Sequence, residues 1–345
     1  MIKAAIINVT GYAGIELARL LHRHPDTELV QVTGRSASGQ KLGDVFPHLS
    51  DINLNVDEEI SASVDVVFSA LPQTASAEAL IPMVEKGVKS IDISADFRLK
   101  SASEYEEWYG VPHPKPQLLE TAAYGLPEIN KSEIKSSSLV ANPGCYPTAA
   151  LLALAPAVRE NIIGEDIIID AKSGVSGAGR SLNLTTHFSE VNENVSAYAV
   201  KGHRHLPEIT QELSRSHNSF TPKITFLPHL IPMTRGILDS CYATLADNFI
   251  ESNDRTIAKV KDIYQDFYKN EPFVKVVDSP PMTKHTLGNN DCIVYPTVDS
   301  RTNRLVVISC IDNLVKGAAG QAIQNMNLMF DMPENEGLEQ LALYP

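Results

Sequence analysis

Ala4-Ala5-Ile6-Ile7-Asn8-Val9-Thr10-Gly11-Tyr12-Ala13-Gly14-Ile15-Glu16-Leu17 sets an apolar run, a glycine turn and the start of an amphipathic segment in immediate succession. Ile15, Ala18 and Leu21, with Leu17 and Leu20, fall on one helical face, so the stretch predicts strand, turn and helix. In a dinucleotide-binding fold this first turn offers backbone N–H groups and a helix N-terminus to a pyrophosphate, and glycines allow the close approach. Gly11, Tyr12, Ala13 and Gly14 are the candidate contacts, against an unremarkable strand-to-helix turn. Asn8 stands where a G-x-x-G-x-x-G pattern has its first glycine. Asn tolerates positive φ, so the turn remains feasible.

Outward from this turn, short apolar runs alternate with helical patterns, the sequence form of a parallel sheet with crossover helices. Strands are predicted at 4–9, 29–33, 64–70, 90–94 and 138–141, with a helix carrying Ala75, Ala79, Met83 and Leu80 between the third and fourth. The stretch 105–135 is rich in Pro, Tyr and charge and has no clear period, so it reads as an excursion before the last strand. At the end of the second strand an NAD enzyme places an acidic residue for the ribose hydroxyls. Gly34-Arg35-Ser36-Ala37-Ser38 stands here instead, and Arg with flanking hydroxyls suits the 2′-phosphate of NADP, the other reading being an exposed basic loop. After Cys145 comes one apolar helix (148–158), then mainly strands at 167–171, 223–227, 237–245, 273–277 and 305–311, interrupted by a helix at 256–268. Strands grouped with few helices predict a separate α+β domain with an antiparallel sheet. A last helix, 314–330, shows Ala318, Ala322, Met326 and Met329 on one face and needs a partner surface.

The 345 residues suit two domains, each able to bury a core. With 29 Lys+Arg against 42 Asp+Glu, the net charge of −13 disfavours nucleic acid as a partner. No apolar run approaches the roughly 18 residues of a membrane span, and Met1 to Ile7 lacks the features of a signal peptide, so a cytoplasmic protein without membrane partners is expected. The four cysteines show no C-x-x-C spacing, which argues against a structural metal.

Asn142-Pro143-Gly144-Cys145-Tyr146-Pro147-Thr148 follows a strand and opens the apolar helix. Cys145 therefore belongs at or near a helix N-terminus, where the dipole and free N–H groups favour a thiolate and can steady an oxyanion. Cys241, Cys292 and Cys310 lie in or beside strand-like runs and read as inert thiols. A thiolate wants an acid/base partner, and Lys201-Gly202-His203-Arg204-His205-Leu206-Pro207-Glu208 gathers two imidazoles, a guanidinium and a carboxylate in a loop leading into a helix. Two further segments offer anion contacts or are ordinary turns: Asp92 to Arg98, and Lys172-Ser173-Gly174-Val175-Ser176-Gly177-Ala178-Gly179-Arg180.

Taken in order, these motifs, with Ser94-Ala95-Asp96-Phe97-Arg98-Leu99 and Asp312-Asn313-Leu314-Val315-Lys316-Gly317-Ala318-Ala319-Gly320-Gln321, resemble the N-acetyl-gamma-glutamyl-phosphate reductases of arginine biosynthesis over nearly the whole chain. Asn8 in place of the first glycine is the one departure. The resemblance implies an α/β fold like that of aspartate-semialdehyde and glyceraldehyde-3-phosphate dehydrogenases. It comprises an NADP-binding Rossmann domain (1–144), an α+β catalytic and oligomerisation domain with an antiparallel sheet (145–311), and a C-terminal helix (312–345) returning to the first domain. It implies NADP as cofactor, a small acyl-phosphate substrate, and a homo-oligomer, dimer or tetramer. Cys145 is then the nucleophile, with His203 and His205 the acid/base pair and His205 the first choice. Arg98, Lys172, Ser173, Gly174, Arg204 and Glu208 become substrate contacts, and Pro72, Gly177 and Lys316 join Gly11 to Gly14, Arg35, Ser36 and Ser38 as cofactor contacts.

Three rivals share parts of this pattern. The same chemistry on N-acetyl-aminoadipyl phosphate or a carrier-bound analogue, in lysine formation, differs by side chains that the motifs do not reveal. An aspartate-semialdehyde dehydrogenase is disfavoured by Gly144-Cys145-Tyr146-Pro147 in place of an Asn-Cys pattern. A non-catalytic NADP sensor has no need of a reactive thiol beside a histidine-rich loop.

Overall fold

The computed structural model describes residues 1–217 and 219–345, apart from the side chain of residue 253. They form two compact units, residues 1–144 with 318–340 and residues 145–317 with 341–345. Among the described residues no helix is long and apolar enough to cross a membrane.

The first unit is built on a seven-stranded sheet: β1 (Ile2–Ile7), β2 (Thr27–Thr33), β3 (Val56–Asp57), β4 (Val66–Ser69), β5 (Lys89–Asp92), β6 (Ala123–Tyr124) and β7 (Leu139–Ala141), in the order β3-β2-β1-β4-β5-β7-β6. Every neighbouring pair is parallel. Parallel neighbours need crossovers, and helices α1 (Tyr12–Leu21) and α2 (Ser76–Glu85) supply two of them. The central strands read as continuous apolar runs because both faces are covered: Ala4, Ala5 and Ile6 of β1 and Val66, Val67 and Phe68 of β4 are fully buried. Strand order reverses between β1 and β4, the switch point that opens a crevice at the strands' carboxyl ends. The stretch without a clear period holds three short helices, Ala102–Tyr109, Gln117–Thr121 and Pro127–Ser136, each too brief to establish one.

Residues of the expected last helix divide. A π-helical turn (Val315–Ala319) precedes an α-helix, Gly320–Met329, whose ten residues are all buried within the first unit, polar ones included. Asn325 Nδ2 donates to the Gly125 carbonyl at 2.8 Å and to Asn142 Oδ1 at 3.0 Å, which makes burial of the amide affordable.

The second unit carries β8 (Ile163–Gly174), β9 (Ser196–Ala197), β10 (Lys223–Ile231), β11 (Ile237–Leu245), β12 (Val274–Val276), β13 (Cys292–Asp299) and β14 (Arg304–Ile311), in the order β12-β13-β14-β11-β8-β10-β9. The expected antiparallel sheet is in fact mixed: β8 with β10 and β12 with β13 are parallel. The chain leaves β8 and passes through a helix, Leu206–Ser216, before β10, a connection long enough for the parallel crossover that a hairpin cannot make. β13 was not foreseen, because Pro296 demotes a run to edge strand or non-strand. The structure resolves the conflict: β12 pairs β13 only over Cys292–Val294, so at Pro296 β13 is an edge.

Candidate active site

The cofactor side lies in the first unit. Asn8 takes φ 66°, its Nδ2 donates to the Ala70 carbonyl at 2.9 Å, and its Oδ1 accepts from the Thr10 hydroxyl at 3.1 Å. The side chain thus holds the positive-φ turn that a glycine would otherwise supply. A Cβ on Gly14 would stand 2.5 Å from the Asn8 carbonyl oxygen, so only glycine lets α1 pack this close to β1. Gly11, the N-cap of α1, has more room, and no acidic side chain occupies the first turn, leaving the N–H groups to an anion. Beside the turn lies a cavity of about 730 Å³ lined by Asn8, Gly34, Arg35, Ser36, Leu71 and Ala79, among others. Arg35, Ser36, Ser38 and Pro72 are exposed. These groups fit a dinucleotide carrying a phosphate on its ribose.

Arg98 has a different environment from the one an open phosphate contact needs. It is 6% exposed, its Nε donates to the Asn142 carbonyl and its Nη2 to that of Ile93, both at 2.8 Å. The guanidinium ties the end of β5 to the loop leading to Cys145. Beneath it Asp92, which accepts from Ser76 and Ser94, is raised to about 6 by burial and by Asp96.

Cys145 opens helix α3 (Cys145–Arg159) and is partly exposed, while residues 146–158 are buried. No acidic residue lies in its first turn, so the thiol sits at an uncompensated positive helix end. The helix is held rigidly. Ser309 Oγ on β14 donates to the Ala149 carbonyl at 2.9 Å, and Tyr268 Oη, on α4 (Asn253–Tyr268), donates to that of Leu152 at 2.6 Å. Pro156 has no N–H to satisfy Leu152, and the tyrosine takes that place.

Both histidines gather around Tyr146, the residue next to Cys145. The Tyr146 ring lies 5.7 Å from His203, 6.0 Å from His205 and 5.5 Å from Phe226, all at steep angles. Tyr198, delivered by β9, stands 5.5 Å from His203, and its hydroxyl donates to Tyr146 Oη at 3.2 Å. Burial, with Arg204 second, lowers His203 to about 4, so the imidazole is neutral at pH 7. Burial also pushes Tyr198 up to about 12 and Tyr146 higher still. Arg204 is exposed, whereas Glu208, two residues into its helix, is 1% exposed.

Ser173, Gly174 and Gly177 form a tight turn at the end of β8. Ser173 is buried, a Cβ on Gly177 would lie 3.1 Å from its Oγ, and one on Gly174 would strike the Thr234 carbonyl oxygen at 2.7 Å. Asn313 pins this turn, donating to Ser176 Oγ at 2.9 Å and accepting from Gly236 N–H at 2.8 Å. Lys172 points away from α3, since alternate residues of a strand face opposite ways and Ala171 and Ser173 are on the buried row. Its Nζ pairs with Asp170 at 2.6 Å. Lys316 is fully buried, its ammonium 5.7 Å over the Phe273 ring. Of the cations read as ligand contacts, then, Arg35 and Arg204 are exposed while Arg98 and Lys316 are enclosed.

Sequence reasoning missed Tyr198, Phe226 and Asp239. Asp239, on β11, has no exposed surface and no hydrogen bond to either carboxyl oxygen among the described residues, and burial raises it well above the usual carboxylate range. A carboxylate in a strand-like run gives no sequence signal of this kind.

The semialdehyde dehydrogenase NAD-binding domain matches residues 3–137, and the semialdehyde dehydrogenase dimerisation domain matches residues 145–313. The N-acetyl-gamma-glutamyl-phosphate reductase of Dehalococcoides mccartyi is 54% identical over 343 residues, 99% of each chain. That of Pelotomaculum thermopropionicum is 51% identical, covering 100% of this chain and 99% of its own. Among solved structures, aspartate semialdehyde dehydrogenase II from Vibrio cholerae, complexed with ASA, aligns with TM-score 0.72 at 16% identity over 96% of this chain and 98% of its own. Aspartate semialdehyde dehydrogenase with NADP from Candida albicans aligns with TM-score 0.72 at 17% identity over the same shares. These two structures establish likeness of fold.

Proposed function

The chain belongs to the N-acetyl-gamma-glutamyl-phosphate reductases of the semialdehyde dehydrogenase family, and from that membership we infer that it reduces N-acetyl-γ-glutamyl phosphate to N-acetylglutamate 5-semialdehyde, with NADPH as reductant and release of phosphate. The reaction belongs to arginine biosynthesis. The observation that carries the reading is 54% identity across 99% of the chain, together with a thiol at the open end of a buried helix and two histidines around its neighbour.

Cys145 Sγ, as the thiolate, attacks the acyl carbon; the carbon–oxygen bond to phosphate breaks, phosphate leaves with the electron pair, and a thioester remains. The N–H groups at the start of α3 face the oxygen on which charge develops. NADPH, when bound, supplies the hydride that reduces the thioester carbon. His205 gives a proton to the resulting oxygen and takes it back as the carbon–sulfur bond breaks, which releases the semialdehyde and restores the thiolate. Exposed Arg204 suits an anionic group of the substrate, and the turn at Ser173, Gly174 and Gly177 suits close approach to backbone amides. Gly11 to Gly14, Arg35, Ser36 and Ser38 hold the nucleotide.

The dimerisation-domain match supports a homo-oligomer. Four cysteines that form no disulfide among the described residues, three of them buried, suit a reducing, cytoplasmic compartment. The decisive assay runs the reaction backwards, following phosphate-dependent NADP reduction with N-acetylglutamate semialdehyde and with the homologue one methylene longer. Preference for the shorter aldehyde supports the arginine-branch reading, and equal or better turnover of the longer one overturns it.

A further inference from the structure

Gly317 lies against the nucleophile. A Cβ built on it would stand 2.8 Å from Cys145 Cβ and 3.3 Å from Cys145 Cα. Its φ is not in the left-handed region, so nothing in the backbone requires glycine there. Glycine within a helical turn costs about 1 kcal/mol relative to alanine, so its presence calls for a reason in space.

The turn that carries Gly317 cannot retreat. Its N–H donates to the Asp312 carbonyl at 2.9 Å, five residues back, the bond that makes this turn π-helical. Such single turns inside helices mark functional sites more often than chance. Asp312, fully buried, accepts from Leu314 N–H at 2.8 Å, Val315 N–H at 3.1 Å and Gly288 N–H at 2.7 Å. Asn313 pins the next residue to Gly236 and Ser176, and the Lys316 stem is buried. On the other side α3 is fixed by Ser309 and Tyr268. The contact falls on Cys145 Cβ and Cα, which rotation about χ1 does not move, so a larger residue at 317 displaces the first residue of α3 and carries the sulfur with it.

We propose that Gly317 is a positioning residue: the π-turn presents a bare backbone to Cys145 and so lets the first residue of α3, and with it the sulfur, sit where the N-terminus of α3 requires. The proposal rests on Cys145 being the nucleophile. A displaced sulfur loses both its angle to the acyl carbon and its access to the helix N–H groups, and a misplacement of about 1 Å costs on the order of 100-fold in rate.

The test compares wild type, Gly317→Ala and a control, Gly164→Ala, whose Cβ would meet nothing closer than the Thr244 carbonyl oxygen at 3.8 Å. The first readout is the rate of Cys145 alkylation by iodoacetamide against pH in cofactor-free protein, which needs no substrate. Gly317→Ala is expected to move the midpoint of that profile and to lower kcat by roughly 100-fold, with the control unchanged. A folded Gly317→Ala protein with the wild-type alkylation profile and kcat overturns the proposal. Should Gly317→Ala unfold, the same substitution is made in a Cys145→Gly chain, where the opposing Cβ is gone. Loss of stability only when Cys145 is present supports the proposal, and equal loss in both backgrounds overturns it. Failure of wild type to turn over N-acetylglutamate semialdehyde would instead refute the assigned reaction and leave the alkylation result standing.

Discussion

The backbone N–H of His205 donates to Nδ1 of His203 at 3.1 Å, and the two rings lie 4.8 Å apart. With Nδ1 accepting, the neutral His203 ring carries its proton on Nε2. His203 is therefore uncharged at neutral pH, and the proposed mechanism gives the proton transfer to His205. His205→Asn should lower kcat by roughly 10²- to 10⁴-fold, and His203→Asn by much less. Steady-state kinetics of the two variants decide it, and a larger loss from His203→Asn reverses the assignment.

His203 also links stability to pH. Its folded value, about 4, is below the ordinary 6.5, so between these the unfolded chain binds a proton that the folded chain does not. Stability from the neutral ring is fully present above the unfolded value and is lost as pH falls towards the folded one. Urea unfolding should show wild type losing about 2 kcal/mol more than His203→Asn between about pH 7 and about pH 5. Parallel losses in the two proteins would place His203 in water.

Cys145→Ser should abolish turnover and leave NADPH binding intact, because Arg35 and the glycine turn belong to the first unit and Cys145 to the second. A serine hydroxyl is a far weaker nucleophile near neutrality than a thiolate. Fluorescence titration with NADPH beside the assay separates binding from chemistry, and an active serine variant refutes the thioester route.

The parts readable from sequence were those whose signal is local. Strand, glycine turn and helix follow one another within Ala4 to Leu21, and the turn chemistry around Cys145 lies within seven residues. Asn8 was read as able to take positive φ, and it does. Contacts across the sheet were not readable: Tyr198 reaches Tyr146 across 52 residues, and Asp239 is buried by a register that no local pattern announces. Arg98 and Lys316 read as ligand contacts from their charge and motif, and sequence does not show the carbonyls or the ring that lie beside them. Pro296 hid β13, since only the partner strand's length shows where an edge begins.

Arg35 should set cofactor choice. It shares its cavity with Lys86 and with the carboxylates of Glu58, Glu59 and Glu78, so without it a ribose phosphate meets an acidic wall. Arg35→Ala should raise KM for NADPH by roughly 10- to 100-fold, as expected for loss of a charge-assisted contact, and leave that for NADH nearly unchanged. Equal effects on both cofactors would remove Arg35 from phosphate recognition.

Asp239 stands opposite Ala171 on one side and, through Asp239↔Ser309, opposite β14 on the other, beneath α3. Burial raises it, Asp170 adds to the shift, and Lys172 opposes it. The nearby thiols of Cys241 and Cys310 and the hydroxyls of Tyr146 and Tyr198 are themselves pushed upward, so they stay neutral and add no second negative charge beside it. The folded chain thus keeps a proton that the unfolded chain has released, and stability declines as pH rises from the ordinary carboxylate value through the folded one. Asn has nearly the same shape and never ionises. Asp239→Asn should therefore gain on wild type as pH rises, the gap in urea midpoint being wider at alkaline than at mildly acidic pH. Taking the difference between the two proteins cancels the similar decline from Asp92, so a gap that stays constant would mean that Asp239 is charged in the folded protein.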